Sequence, residues 1–315
     1  MLTGGVRGER RVGWSRYSSR TFYLFVSPWV LGFLLLTAIP LVYAFVMSLT
    51  NFDGSSDRWR WVGFRNYVEL LDDGDAWASL GRTLVYAAIA VPLSVAGGLG
   101  LAVLLNRRLK AVGLFRTIFF LPSVVPVVAM AIMWKLVFNR DAGILNAAIE
   151  TVGFEAVTWL VDPLAFYALI ILTLWGLGGG MVIMLAALQG VPAELEEAAL
   201  IDGAGGWLVF RHVTVPMISP VIFFQVVTGM ITSFQILVQP LLLAETNSIA
   251  EVGKVPQSTH LYMVQVYQEF FASNRFGYGS AMLWVFFLII LLITLAVQRS
   301  SRLWVHYEVD NDADR

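Results

Sequence analysis

The chain has 315 residues, 58% of them hydrophobic and 14% charged, with a mean hydropathy of +0.72. Soluble domains carry about 25% charged residues, so the composition excludes an ordinary soluble fold and points to an all-α polytopic membrane protein. The formal net charge is −1 and there is no cysteine. Nucleic-acid binding therefore has no support, and disulfides, thiol catalysis and cysteine-based zinc sites are excluded.

Six apolar runs follow one another, at about 22–49, 83–105, 114–137, 164–188, 213–243 and 277–297. Each has at least the ~20 residues that a helix needs to cross ~30 Å of hydrocarbon. They divide the chain into a segment 1–21, expected to be cytosolic, a six-helix transmembrane domain 22–298 and a tail 299–315, also expected to be cytosolic. The first run is too long for a signal-peptide core and is read as retained. The second carries Gly97, Gly98 and Gly100. The third carries Pro122 and Pro126, which kink a helix and free backbone carbonyls, and Lys135 near its outer end, placed to snorkel. The fourth carries Gly176 and Gly180 with Gly178 and Gly179 between them. Such small residues allow close helix packing in lipid; a flexible point that bends during gating is the alternative reading.

Between the fourth and fifth runs lies a polar, glycine-broken insert, 190–216. Pro192 suits a helix start, and residues 193–202 are strong helix formers. Glu194, Glu196 and Glu197 fall where the helix dipole favours anions. Gly203 is placed as a C-terminal stop, and Gly205 and Gly206 extend the break. A short apolar turn at 207–211 leads to Pro216 and Pro220. The small Ala198 and Ala199 allow close approach by a partner, and Glu197 offers a charge for a partner arginine. The plain alternative is an amphipathic helix lying on the membrane, which its acidic residues disfavour at an anionic leaflet.

The fifth run, which is over-long and starts in the interface, holds Gln225, Thr228, Thr232, Gln235 and Gln239, spaced 3, 4, 3 and 4 apart. On one continuous helix these share a face. Lipid does not tolerate such a stripe. It is either a hydrogen-bonded seam with a neighbouring helix or the lining of a path for a neutral, hydroxyl-rich solute. Phe224 and Phe234 flank it.

Orientation follows from the basic residues. With the N-terminus inside, thirteen lie inside (Arg7, Arg10, Arg11, Arg16, Arg20, Arg107, Arg108, Lys110, Arg116, Arg211, Arg299, Arg302, Arg315) and seven outside (Arg58, Arg60, Arg65, Arg82, Arg140, Lys254, Arg275). Both termini and the insert are thus expected in the cytosol. The runs hold almost no charge besides Lys135, against ion coupling, and no GxxxxGK[ST] phosphate loop is present. An uphill transporter of this kind needs its motor on another polypeptide. The histidines His212, His260 and His306 are scattered and suggest no metal site. No Ser/His/Asp, HExxH or paired-carboxylate pattern supports a membrane-embedded enzyme.

The insert resembles the "EAA" loop of membrane subunits of ATP-binding-cassette importers, through Glu197, Ala198, Ala199, Asp202, Gly203, Ala204, Phe210 and Pro216. Further stretches, "SLTNFD" at 48–53, "VGFRNYVELL" at 62–71, a long run at 119–146 and "FGYGSAM" at 276–282, are similar to sugar permeases of the maltose-permease type. Where that family often has Gly-Gly-Pro after the fifth helix, this chain reads Ala244, Glu245, Thr246, Asn247. The resemblance implies a multi-pass inner-membrane permease subunit in a bacterial or archaeal cell. Its implied partners are a second homologous permease, a cytosolic ATPase dimer carrying ATP and Mg, an extracytoplasmic solute-binding protein and membrane lipid, with a sugar or polyol as solute. It implies no cofactor and no catalysis in this chain. The rival readings are a stand-alone carrier or facilitator and, within the family, a glycerol-phosphate-type solute.

Overall fold

The structure is a computed structural model that describes residues 19–56, 59–107, 110–244 and 255–306. Arg7, Arg10, Arg11, Arg16, Arg58, Arg108, Lys254 and Arg315 of the charge count lie outside the described residues, as do Glu245, Thr246, Asn247 and most of both terminal segments. Among the described residues every regular element is helical, and one isolated bridge joins Thr50 to Trp61.

The helices are α1 (Ser19–Phe33), α2 (Ile39–Ser48), α3 (Arg65–Asp72), α4 (Gly74–Leu105), α5 (Val112–Phe120), α6 (Val127–Val137), α7 (Ile144–Thr151), α8 (Leu164–Trp175), α9 (Gly178–Gln189), α10 (Ala193–Ile201), α11 (Gly206–Val209), α12 (Val215–Met217), α13 (Ser219–Phe234), α14 (Val238–Leu243), α15 (Tyr262–Phe271) and α16 (Phe276–Ser300). Residues 20–48, α4 and residues 276–303 are each long and apolar enough to cross a membrane. Three further pairs pass that test together, each bent at a short break.

Those breaks are written in the sequence. At Val125–Pro126 the third run turns by 102°. Pro126 supplies no backbone N–H, and its ring disfavours a helical conformation at Val125, which is extended. At Gly176–Leu177 the fourth run bends by 45°, where the glycine lowers the cost of leaving helical geometry. At Ile218 the chain turns by 67° into α13, beside Pro216 and Pro220.

The long α4 is the mast of the bundle, packing against α8, α9, α13 and α15. Its C-terminal half buries Ala102 and Leu105 with Met181, Met184, Leu188 and Ile218. Its N-terminal half buries Leu80, Ala87 and Val91 with Met230, Phe234, Tyr262 and Phe286. The first run, by contrast, is almost wholly exposed within the single chain.

Glycines make the closest contacts. A Cβ at Gly178 would lie 2.1 Å from the Phe119 carbonyl oxygen and 2.7 Å from Phe120 Cα, both backbone atoms. A Cβ at Gly98 would touch the backbone N of Met181 at 3.4 Å. The start of α9 is thus wedged between α4 and the end of α5. Gly178→Val should therefore cost about 1–3 kcal/mol by overpacking and lower the melting temperature of the detergent-solubilised protein. Gly100→Ala, where a Cβ meets nothing within 4 Å, should leave it equal or higher. Equal melting of the two variants would contradict this packing.

Candidate docking loop and polar face

The insert forms the expected short helix and stop. Pro192 is the N-cap of α10, with Glu194 and Glu196 in its first turn. Asp202 ends the helix and Gly203 follows with φ +87°. The Gly203 N–H donates to the Leu200 carbonyl and the Ala204 N–H to the Ala199 carbonyl, both at 3.0 Å. This pair of bonds is the Schellman closure, which needs a left-handed residue where Gly203 stands.

The chain then runs through α11, a π-turn at Phe210–Thr214 and α12 before α13. The Thr214 hydroxyl donates to Glu196 Oε1 at 2.8 Å, tying the returning arm to α10. Sequence reasoning singled out Glu197 and missed this brace, because an 18-residue separation leaves no local pattern. Glu197, Ala198, Asp202 and Gly203 are exposed, whereas Ala199, Ala204, Phe210 and Pro216 are half-buried. Ile201 is 85% and Trp207 69% exposed, so the tip of the loop presents large apolar side chains. Trp207 also packs its ring against Phe210, 5.6 Å between centroids.

The polar stripe is only partly one face. α13 stops at Phe234, with Gln235 as its cap, and Gln239 lies on the separate α14. The expectation of one continuous helix from 225 to 239 is therefore corrected. The break falls at Gln235–Leu237, where Leu237 leaves helical backbone (φ −135°), and Pro240 lies in the first turn of the new helix, where its missing N–H costs no intrahelical bond.

Gln225, Thr228 and Thr232 remain together on α13. The Gln225 amide donates across to the Gly180 carbonyl at 3.1 Å. It borders a partly open cavity of about 130 Å³ with Ser94, Thr173, Gly176 and Gly229. Thr228 and Thr232 donate back to the Phe224 and Thr228 carbonyls at 2.8 and 3.0 Å, leaving their oxygens free only to accept. Thr232 and Gln235 are exposed in the single chain. Phe224 is exposed and Phe234 is buried.

Lys135 has a partner within the chain. Its Nζ donates to the Ala244 carbonyl at 2.6 Å, tying α6 to the end of α14. A carbonyl at a helix end is an acceptor left without an intrahelical donor, and the ammonium supplies one. Among the described residues, no group of three or more His, Asp or Glu side chains is placed to hold a metal.

A second polar cluster stands at the opposite end of the bundle. The Arg275 guanidinium pairs with Glu69 of α3 and with Glu269 of α15, the latter at 3.3 Å. It also lies over the Tyr278 ring, 4.1 Å from its centroid. The Tyr278 hydroxyl donates to Asp73, the N-cap of α4. One cation thus gathers α3, α15, α16 and the start of α4. Glu69 and Arg275 are 206 residues apart, so no sequence pattern announces the cluster.

Residues 94–304 match the family described as "Binding-protein-dependent transport system inner membrane component". The "Probable ABC transporter permease protein YesP" of Bacillus subtilis is 37% identical over 290 residues, spanning 91% of this chain and 92% of that protein. The arabinooligosaccharides transport system permease protein AraP of Halalkalibacterium halodurans is 32% identical, over 89% and 90% of the two chains. The lactose transport system permease protein LacF of Rhizobium radiobacter is 35% identical, over 70% and 75%. A crystal structure of a bacterial ABC transporter importing the acidic polysaccharide alginate shares the fold, with a TM-score of 0.77 over 90% of this chain and 95% of that one at 20% identity. The family match and the relatives define a membrane subunit of an ABC importer. The chain belongs to the binding-protein-dependent transport system inner membrane components, whose ATPase resides on separate subunits.

The Arg275 cluster makes stability depend on pH. Burial pushes the Glu269 carboxyl up from its ordinary value of 4.5; Arg275 opposes this, and Asp73 and Glu69 add to it. A carboxyl raised in the folded state binds its proton more tightly there than when unfolded. Its contribution is fully present below 4.5 and is lost as pH rises through the raised value. Melting of the solubilised protein should therefore fall over that window, and Glu269→Gln should flatten the fall. Parallel curves for the two proteins would contradict it.

Proposed function

We propose that this subunit imports a sugar or related polyol, taking its energy from an ATPase that docks on loop 190–216. The loop itself carries this reading. It is a short helix closed by a Schellman turn at Gly203, with Ile201 and Trp207 exposed at its tip. Large apolar side chains standing in water are costly unless a partner covers them. The charge asymmetry of the sequence supports a cytosolic position for this loop and both termini.

In this reading Glu197, Ala198, Ala199, Asp202, Gly203, Ala204, Phe210 and Pro216 form the ATPase seat. ATP and Mg are bound by the partner ATPase dimer and not by this chain. A second permease completes the membrane domain, and a solute-loaded extracytoplasmic protein docks outside. Closure of the ATPase dimer moves the loop as a body, and the displacement passes through α12 to α13. Only an effector that distinguishes the two states can drive such a change, and the nucleotide does so at the remote subunit.

The sugar assignment draws on the lactose and arabinooligosaccharide systems to which the named relatives belong. It also draws on the uncharged character of Gln225, Thr228, Thr232, Gln235 and Gln239. Amides and hydroxyls match the donors and acceptors of a neutral polyol. These residues offer no cation to a phosphate ester.

Two sets of variants test the two halves. Gly203→Val forces a branched residue into left-handed backbone, at a cost of about 1 kcal/mol or more. Glu197→Lys reverses a contact charge. Each should cut co-isolation of the ATPase about tenfold, equivalent to ~1.4 kcal/mol, while membrane insertion persists. Normal ATPase recruitment by both would sink the docking role. Gln235→Leu should raise the apparent KM for labelled lactose or arabino-oligosaccharide uptake by ~1–3 kcal/mol equivalent, with the complex intact. Unchanged kinetics for Gln225→Leu, Thr232→Val and Gln235→Leu would remove this face from the path.

A further inference from the structure

The segment after α16 folds back onto the base of the docking loop. A 3₁₀ turn at Ser301–Leu303 reverses the chain, and the buried Ser301 closes it with its hydroxyl donating to the Gln298 carbonyl at 2.7 Å. The Trp304 and Val305 N–H groups both donate to the Ser301 carbonyl. Trp304 then sets its ring edge-on to Phe223 of α13, 5.8 Å between centroids at 71°. Next, the His306 N–H donates to the Ser219 hydroxyl at 2.9 Å. That hydroxyl donates in turn to the Pro216 carbonyl at 2.6 Å.

Ser219 is buried and sits at the 67° corner where the loop becomes α13. The corner is short of backbone donors, because Pro216 and Pro220 have no N–H. The tail supplies one from outside the loop. His306 also stands in a groove of about 380 Å³ whose walls are the loop's two stems, Gly190–Pro192 on one side and Met217, Pro220 and Val221 on the other. One short segment thus bonds to the first turn of α13, packs on Phe223 and faces the other stem of the loop across this groove.

We propose that Ser301–His306 is a brace that fixes the angle between the docking loop and α13. A corner free to flex would absorb the loop's displacement. A corner pinned through Pro216, Ser219 and Phe223 passes it to the polar face of α13. Ser219 and Trp304 are positioning residues for this transfer, not contacts of the ATPase or the solute. The inference rests on the reading of loop 190–216 as the ATPase seat.

The test uses the complete importer in proteoliposomes, with MgATP and vanadate as the probe. Thr232→Cys in this cysteine-free chain reports on α13 through its labelling rate by an impermeant maleimide. In the parent, the trapped nucleotide should change that rate. With Ser219→Ala or Trp304→Ala the complex should still assemble and hydrolyse ATP, but the nucleotide-dependent change should shrink severalfold. Ser219→Thr and Trp304→Phe, which keep a hydroxyl and a ring, should restore it. An undiminished change in both alanine variants would overturn the brace, and so would loss of assembly in both, which would make the segment a support of the fold alone. Retained ATPase binding by Glu197→Lys and Gly203→Val would instead overturn the seat while leaving these readings distinct.

Discussion

The close approach of backbones at the start of α9 is the constraint on which the rest of the structure depends. In lipid there is no hydrophobic gain in moving one apolar helix against another, so helices associate through dispersion contacts that small residues permit. Gly178 lies against the backbone of Phe119 and Phe120, and Gly98 against Met181. With α4, α5 and α9 locked in this way, the carbonyl of Gly180 comes within reach of Gln225. α13 is thereby tied to α9 by a hydrogen bond in addition to packing. The bend at Gly176–Leu177 sits directly beside this knot, so movement of α9 reaches α13 without a free joint between them.

Loop 190–216 extends the same logic to one end of the bundle. Its two stems leave from α9 and return to α13, the helices joined at Gln225. Within the loop, Gly203 lets α10 close on its own carbonyls, and Glu196 ties the returning arm to α10 through Thr214. The loop is thus internally braced as well as anchored. At the opposite end, Arg275 gathers four elements with one guanidinium. The two polar assemblies bracket a bundle whose interior is nearly free of charge.

Local signals were legible in the sequence, and long-range ones were not. Pro126, Gly176 and Gly203 mark their own breaks, because proline and glycine act on the backbone within a few residues. The polar stripe was legible as far as Thr232. Beyond it, the backbone leaves the helix at Gln235–Leu237, and Gln239 fell on another helix. The partner of Lys135, the Ala244 carbonyl, comes from a distant segment and was not foreseen. The Arg275 cluster, the Thr214–Glu196 bond and the brace at Ser219 all join residues separated by many positions. Such pairings depend on how the helices pack, and no single segment encodes them.

The central claim is that loop 190–216 meets the ATPase and transmits its motion to α13. The most direct measurement places a photo-crosslinking amino acid at position 198, on the exposed face of α10, and a second at position 56, at the other end of the bundle, in cells that make the whole importer. The account predicts a crosslink to the ATPase from position 198 and none from position 56. A crosslink from position 56, or none from 198 in an assembled and active importer, would contradict it.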